Sequence, residues 1–452
     1  MPKKKTALTI EERLQQALVP AEEQPYEVPE NWVWVRLGSL AKDMADGPFG
    51  SNLKTEHYTN NKEVRIIQLS NIGENGWRED NKKYTTFEHA KVIARSKVEA
   101  GDIVIAKMMP AGRAIICPSY EQQYVLSSDA VKFVPNSLVD NNFCCKGINS
   151  YFFQTLVQEN TQGITRARTS IKKLKGYPFP LPPLSEQQRI VERIEELFAK
   201  LDEAKERLQE VADSFAVRKA AILHKAFTGE LTQQWRRENG VSDESWEEKK
   251  LGEVVSLLSG QDFPPTKYNP DGNGLPYITG ASNFDDTHVL INRWTDEPSV
   301  IAQENDVLLV CKGSGYGKTI IADFKEAHIA RQIMALRVKE IIDNKLLLYY
   351  LRNKNRFIKE QGQGLIPGLS RKVILSLTIN LPTLSEQHEI VRLIDDLLAR
   401  ERAAQQATEQ ALASIDLMKK SILARAFRGE LGTNKASEAS ALELLKQVLA
   451  EN

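Results

Sequence analysis

Two stretches of this chain recur at a fixed offset of 200 residues. Leu181-Pro-Pro-Leu-Ser-Glu-Gln187 returns as Leu381-Pro-Thr-Leu-Ser-Glu-Gln387, and Ile222-Leu-His-Lys-Ala-Phe-Thr-Gly-Glu-Leu231 returns as Ile422-Leu-Ala-Arg-Ala-Phe-Arg-Gly-Glu-Leu431. Everything between the two stretches therefore aligns without insertion or deletion. A repeat at this length means one structural unit built twice. The preceding segments match more loosely. Trp32 echoes Trp246, Leu37-Gly38 echoes Leu251-Gly252, Gly101-Asp102 echoes Asn305-Asp306, and Asn71-Ile72 echoes Asn283-Phe284. Their offsets differ, so the loops there differ in length. The order is variable domain, constant helix, variable domain, constant helix.

The constant segments predict long helices. Ser185 with Gln188 three residues on reads as a capping box, and Ser385 repeats it with His388 in place of the glutamine. Ile190, Ile194, Leu197, Leu201, Ala204, Leu208, Val211 and Phe215 then follow at alternating spacings of four and three, a heptad seam. The second copy keeps Ile390, Ile394, Leu397, Ala404, Ala411, Ile415, Met418 and Ile422, with Glu401 and Thr408 also on the seam. Gly229 and Gly429 stop the helices. Each helix should run about 65 Å at 1.5 Å per residue. The economical pairing is antiparallel, one helix against the other.

Residues 26–180 and 241–380 mix short β-type runs with loops, an α+β pattern. The runs include Arg65–Leu69, Asp102–Ala106, Ala114–Cys117, Val131–Val134 and Asp306–Val310. A helix is expected to close each domain, over 150–159 and 344–359. The glycine-containing loop from Lys107 to Arg113 is set opposite Lys312 to Thr319, with Lys318 as its second cation. Arg166, Arg168, Ser170, Lys172, Lys173 and Lys175 crowd the segment before the first long helix, and Ser370, Arg371 and Lys372 hold the matching place in the second copy. Glycine lets backbone amides approach phosphate, while Arg and Lys neutralise it. Gln68, Asn71, Asn75, Gln261, Ser282 and Asn283 are candidates to read base edges, because their side chains can pair with them.

Composition excludes several classes. The 452 residues carry 60 Lys+Arg and 60 Asp+Glu, a balance unlike a uniformly basic nucleic-acid binder. Residues 26–180 hold 20 basic against 16 acidic residues; residues 241–380 hold 17 against 18. The longest apolar run, Leu346 to Leu351, falls far below the roughly 20 residues of a membrane span. The start, Met1-Pro-Lys-Lys-Lys, carries no apolar segment of a secretory signal. Cys117, Cys144, Cys145 and Cys311 form no C-x-x-C pair and read as reduced thiols. The six histidines show no metal spacing, and no nucleophile elbow is present. Gly313 to Thr319 approximates a phosphate-binding P-loop, but its first glycine comes one residue late and no βαβ unit surrounds it; a glycine-rich hairpin loop fits better. Asp323-Phe-Lys325 and Glu247-Glu-Lys249 match a nuclease acid-x-lysine pattern, as a chain this charged does by chance. No catalytic residue and no metal site is expected.

The doubled order of variable domain, L-P-x-L-S-E-Q, heptad helix and K-x-x-I-L-x-x-A-F-x-G-E-L (Lys219 to Leu231, Lys419 to Leu431) resembles the specificity subunit of type I restriction-modification systems. The opening Pro29-Glu-Asn-Trp32-Val-Trp34-Val-Arg-Leu37-Gly38 is similar to the start of that family's target recognition domain. The resemblance spans residues 26–431. It implies a pseudo-twofold chain of two α+β recognition domains (26–180 and 241–380) separated by two long antiparallel coiled-coil helical regions (181–240 and 381–431). Short helices are expected in the N-terminal segment (1–25) and the C-terminal tail (432–452), at Thr9-Ile-Glu-Glu12 and Ser440-Ala-Leu-Glu443, poised to dock on partner subunits.

By the same resemblance the chain would bind a bipartite double-stranded DNA target in the bacterial cytoplasm, without catalysis or cofactor of its own. Two methyltransferase subunits using S-adenosylmethionine would methylate adenine, and two translocase-endonuclease subunits using ATP and Mg would join. The D/N-P-P-Y/F loop of adenine methylation is absent here, since Asp262-Phe-Pro-Pro265 has the wrong order. A different reading of the residues is a coiled-coil adaptor whose end domains bind proteins.

Overall fold

The computed structural model describes residues 8–74, 76–161, 168–285, 287–313, 315–361 and 368–451. Two compact units emerge, Met1–Arg207 with Ala411–Asn452, and Leu208–Gln410. The boundary falls inside both long helices. The first unit thus holds the first variable domain, the start of one helix and the end of the other; the second holds the complementary set.

Each unit is built on the same topology. In the first, an antiparallel sheet runs in the order Ala114–Ile116, Ile103–Ala106, Ala130–Pro135, Ala41–Asp46. In the second, Thr319–Ile321, Val307–Val310, Ile333–Val338 and Val255–Ser259 repeat that order strand for strand. A second sheet in each unit is mixed. Val64–Ile67 pairs in parallel with Tyr124–Leu126, and Leu275–Ile278 pairs in parallel with Glu326–Ile329. The strands Ile103–Ala106 and Val307–Val310 are buried along their whole length. That explains why they read as continuous apolar runs rather than alternating ones. A two-stranded sheet joins the start of each domain to its end, Val33–Arg36 with Pro178–Leu181 and Glu247–Lys250 with Thr378–Leu381.

The β-type runs of the sequence all lie on strands, to within two residues at their ends. In the first domain the expected closing helix is Tyr151–Glu159, capped by Ser150, and a further helix, Asn141–Ile148, capped by Asp140, precedes it. The second unit differs from expectation, dividing 344–359 into Asn344–Asn353 and Asn355–Glu360. The Cys144-Cys145 pair and the neighbouring Gly147 hid the first helix, having no strong helical pattern.

The long helices span Leu184–Phe227 and Leu384–Ala426, 44 and 43 residues. The first begins ahead of Ser185: the Pro183 carbonyl accepts from the amides of Glu186 and Gln187. The Ser185–Gln188 capping box is therefore not the helix start; the prolines set it. Gly229 and Gly429 follow the ends with φ of 82° and 76°, the left-handed turn glycine permits. Within the first unit the helices run antiparallel, with Lys205 on Asp416 at 3.0 Å and Lys419 on Asp202. Within the second unit they do so again, with Arg218 on Glu401 at 2.9 Å and Lys219 Nζ on Gln405 at 3.0 Å.

Ile190, Ile194, Ile390 and Ile394 are fully buried, but in the cores of their domains as well as against the facing helix. Leu197, Leu201, Leu208, Leu397 and Ile422 are half-buried, and Phe215 and Ile415 are buried. Val211 and Met418 leave the seam, at 41% and 51% exposure, and Ala404 is exposed too. A strict heptad drifts around a straight helix, and Glu401 and Thr408 occupy the facing positions instead.

The repeated Ser-Glu-Gln tripeptide ties helix to domain. Gln187 Oε1 accepts from the Asp140 amide at 2.9 Å while its Nε2 donates to Pro182; Gln387 repeats both bonds with Asp343 and Pro382. Glu186 and Glu386 are fully buried. The termini pack on the first unit itself. Thr9 caps the helix Ile10–Ala17 with a complete capping box. Arg13 donates to the Leu449 carbonyl at 3.0 Å, and Leu445 and Val448 of the helix Ala441–Glu451 join the first domain's core. The expectation that these segments wait for partner subunits is thus corrected for their apolar faces. Apolar residues at helical spacing found a partner within the chain.

Candidate nucleic-acid interface

In both units four loops converge at one end of the antiparallel sheet. The first leaves the opening strand at Gly47 or Gly260. A Cβ at Gly47 would stand 1.8 Å from the Ser127 carbonyl, and one at Gly260 would stand 2.1 Å from that of Ala330. Both positions therefore need glycine. The second loop is a tight turn at 69–71 or 281–283. The third is the step Ser127–Asp129 or Ala330–Gln332. The fourth is the glycine hairpin between antiparallel strands.

That hairpin is the Gly313–Thr319 motif, and its place between antiparallel strands, with no following helix, agrees with the hairpin reading over the P-loop. Gly112 and Gly317 adopt the same φ of 86°, and their amides donate to Ala106 and Val310. Arg113 and Lys318 are structural equivalents, as their carbonyls accept from those same two residues, at 2.8 and 2.9 Å. Lys107 and Lys312 are not equivalents. Met108 bridges Arg168 as Lys312 bridges Gly368, so Lys107 corresponds to Cys311. The segment preceding each long helix is thereby stitched to the hairpin: the Thr169 amide donates to Lys107 and the Leu369 amide to Cys311, both at 2.9 Å.

Of the candidate phosphate residues, Lys107, Arg168 and Lys312 lie on this stitch. Lys107 pairs with Asp46 at 2.8 Å and Arg168 with Asp129 at 2.6 Å. Lys173 donates to the Asn160 carbonyl at 2.6 Å, and Arg113 lies 3.9 Å from Glu74. Lys172, Lys312, Lys318, Arg371 and Lys372 are exposed. Ser170 and Ser370 are exposed, and each hydroxyl caps a short helix, Ile171–Gly176 or Arg371–Leu375, accepting an amide at 3.3 Å with its own O–H directed elsewhere. Arg166 lies outside the described residues.

Two base-reading candidates are corrected. Asn71 is fully buried; its Oδ1 accepts from the Gln68 amide, and its Nδ2 donates to the Arg78 and Asp80 carbonyls. Asn283 is fully buried and does the same work, accepting from Thr279 and Gly280 and donating to Leu290. A buried amide with both ends bonded holds a loop and is closed to a base. Their recurrence in both copies marked architecture. Gln68 lines a cleft of about 330 Å³, its Oε1 accepting from Asn81 at 2.9 Å. Gln261 and Ser282 are exposed, and Asn75 lies outside the described residues.

Beneath the second unit's loops, His328 is fully buried. Its Nε2 faces the Gln261 carbonyl at 2.8 Å, and its Nδ1 accepts from the Ser299 and Val300 amides. Burial holds its pKa below the usual histidine value. All four cysteines are free thiols and buried, and burial pushes Cys117 and Cys145 up to about 12. Among the described residues no group of three or more His, Cys, Asp and Glu is placed to hold a metal. No described helix is long and apolar enough to cross a membrane.

The sequence matches the family described as type I restriction modification DNA specificity domain twice, over residues 29–213 and 243–412. It is 25% identical to the StySPI specificity subunit of Salmonella potsdam and 25% identical to the EcoKI specificity subunit of Escherichia coli K12. Each of those alignments covers 94% of this chain and 96% of the relative. Among solved structures, the HsdS subunit from Thermoanaerobacter tengcongensis superposes with a TM-score of 0.65 at 25% identity, covering 90% of this chain and all of that one. A chain from a study of complex assembly and conformational transition in the type I restriction-modification system reaches 0.71, with the same identity and coverage.

Proposed function

Because this chain belongs to the type I restriction-modification DNA specificity family, and so serves DNA recognition, we propose that it reads a bipartite double-stranded target, one half-site per unit. The observation that supports this reading is the four-loop cluster built twice. Its backbone bonds coincide between units while its side chains differ. A shared scaffold with divergent loops suits two different half-sites.

On this reading the exposed cations and hairpin glycines receive phosphates, and base edges meet the side chains between them. The chain itself performs no chemistry. It brings partner methyltransferase subunits, which carry S-adenosylmethionine, to the target. Restriction subunits using ATP and Mg join the same complex in the cytoplasm. The long helices set the gap between half-sites.

The test is binding of the complex to duplexes that differ only in the gap. One added base pair should weaken binding by an order of magnitude or more, because it shifts and rotates one half-site against the other. Binding that ignores the gap would overturn the bipartite reading. Binding that ignores salt would overturn DNA recognition itself and favour a protein-binding adaptor.

A further inference from the structure

The third loop of the cluster has the same backbone in both units. The Ser127 amide donates to Ile67 at 2.9 Å and the Asp129 carbonyl accepts from Lys107 at 2.8 Å. The Ala330 amide donates to Ile278 at 2.9 Å and the Gln332 carbonyl accepts from Cys311 at 2.8 Å. Ser127-Ser128-Asp129 and Ala330-Arg331-Gln332 therefore correspond residue for residue, yet share no side chain. Gly47 and Gly260 press the neighbouring loop onto this step from the same side. A fixed backbone with free side chains is what a specificity determinant requires.

The chemistry at the step differs sharply. In the first unit it borders the cleft that Gln68, Ser70 and Asn81 also line, and the hydroxyls of Ser70 and Ser127 are buried without a partner. The groups there are neutral hydroxyls and amides, with Asp129 held by Arg168. In the second unit the middle position is a guanidinium. The Asp262 carboxylate accepts from the Arg331 amide at 3.0 Å and engages its Nε at 2.6 Å, while the side chain stays 67% exposed. The fork is oriented by one carboxylate yet open to a further acceptor.

We propose that this step is the specificity determinant of each unit and that Arg331, held by Asp262, reads a guanine in the second half-site. Guanine offers O6 and N7 as paired acceptors in the major groove, the match for an arginine fork. The first unit has no cation at this position. It reads through Ser128 and the Gln68–Asn81 amides, so its half-site differs. This inference rests on the DNA-reading role proposed above.

The test selects bound sequences from randomised duplex DNA, using the complete complex with its methyltransferase subunits. Wild type should yield two conserved halves. Arg331→Ala should lower the preference for guanine about tenfold or more at one position of one half. The other half, unchanged, shows that the variant is folded. Arg331→Lys keeps the charge but loses the fork, and should relax the same position. A motif unchanged in both variants overturns the proposal, as does a uniform loss of affinity with the motif intact, which marks a phosphate contact only. If wild type selects no split sequence, the DNA-reading role falls and this assignment with it.

Discussion

The indole Nε1 of Trp32 donates to the buried carboxylate of Glu186 at 2.8 Å. Asn434 Nδ2 reaches the same oxygen at 2.8 Å, and Thr433 Oγ1 reaches the other at 3.3 Å. One carboxylate thus joins the start of the first domain, the start of one long helix and the turn after the other. The second unit uses a different set. Arg236 and Thr232 both donate to Glu386 Oε1 at 2.7 Å, while Trp246 Nε1 and Glu386 Oε2 are buried without partners.

The two tryptophans are therefore expected to differ in weight. Trp32→Phe removes a hydrogen bond to a buried charge and should cost about 2 kcal/mol. Trp246→Phe removes no such bond and should cost less, through lost packing alone. Urea unfolding of both variants measures the pair; equal losses would contradict the difference between the anchors.

Glu386→Ala should be the most damaging change at these anchors. It takes from Arg236, whose side chain is only 7% exposed, one of its two carboxylate partners, leaving the exposed Asp243 at 2.8 Å, and a hydrogen bond to a charged group is worth about 1.5–3 kcal/mol. The double variant Glu386→Ala with Arg236→Met should recover part of that loss. A double variant no better than Glu386→Ala would show that the under-paired guanidinium is not the cause.

Much of this architecture is legible in the amino-acid sequence. The ungapped repeat located both helices and their ends, since constant length is visible in sequence. The strand runs were legible because buried strands are apolar throughout. The cap was misread because Ser185 and Gln188 satisfy a local pattern that Pro183 pre-empts. Asn71 and Asn283 were misread for a related reason. Residue type says that an amide can bond a base, but only the fold shows that its bonds are taken. Arg331 was missed because its equivalence to Ser128 depends on backbone pairing across loops of unequal length.

Protonation of His328 should destabilise the second unit. Its buried pKa is lowered, so below the ordinary value of about 6.5 the unfolded chain takes up a proton that the folded one refuses. Stability from this group is full above that pH and is lost as pH falls through 6.5 toward the folded value. Thermal unfolding from pH 8 to pH 5 should show the loss, and His328→Gln should flatten it over that window. An unaltered pH profile in the variant would remove His328 as the cause.

Lys318 and Arg113 occupy one equivalent position in the two hairpins, and phosphate contact there should be independent of sequence. Lys318→Ala should weaken binding evenly across DNA sequences and reduce the slope of log affinity against log salt by about 1. Arg113→Ala should do the same through the other half-site. A change of preferred sequence in either variant would reassign the residue to base reading.

The terminal helices should stabilise the first unit and leave the second untouched. Leu445 is fully buried in the first domain's core, so Leu445→Ala should cost about 2–5 kcal/mol, transfer and cavity terms together. The loss should propagate to the N-terminal helix, because Arg13 donates to the Leu449 carbonyl and the Val19 amide donates to the Trp34 carbonyl. Amide hydrogen exchange separates the units. Strand Ile103–Ala106 should lose protection in the variant, while its equivalent Val307–Val310, in the second unit's cores, should keep it. Equal loss in both strands would mean that the termini stabilise the chain as one cooperative whole.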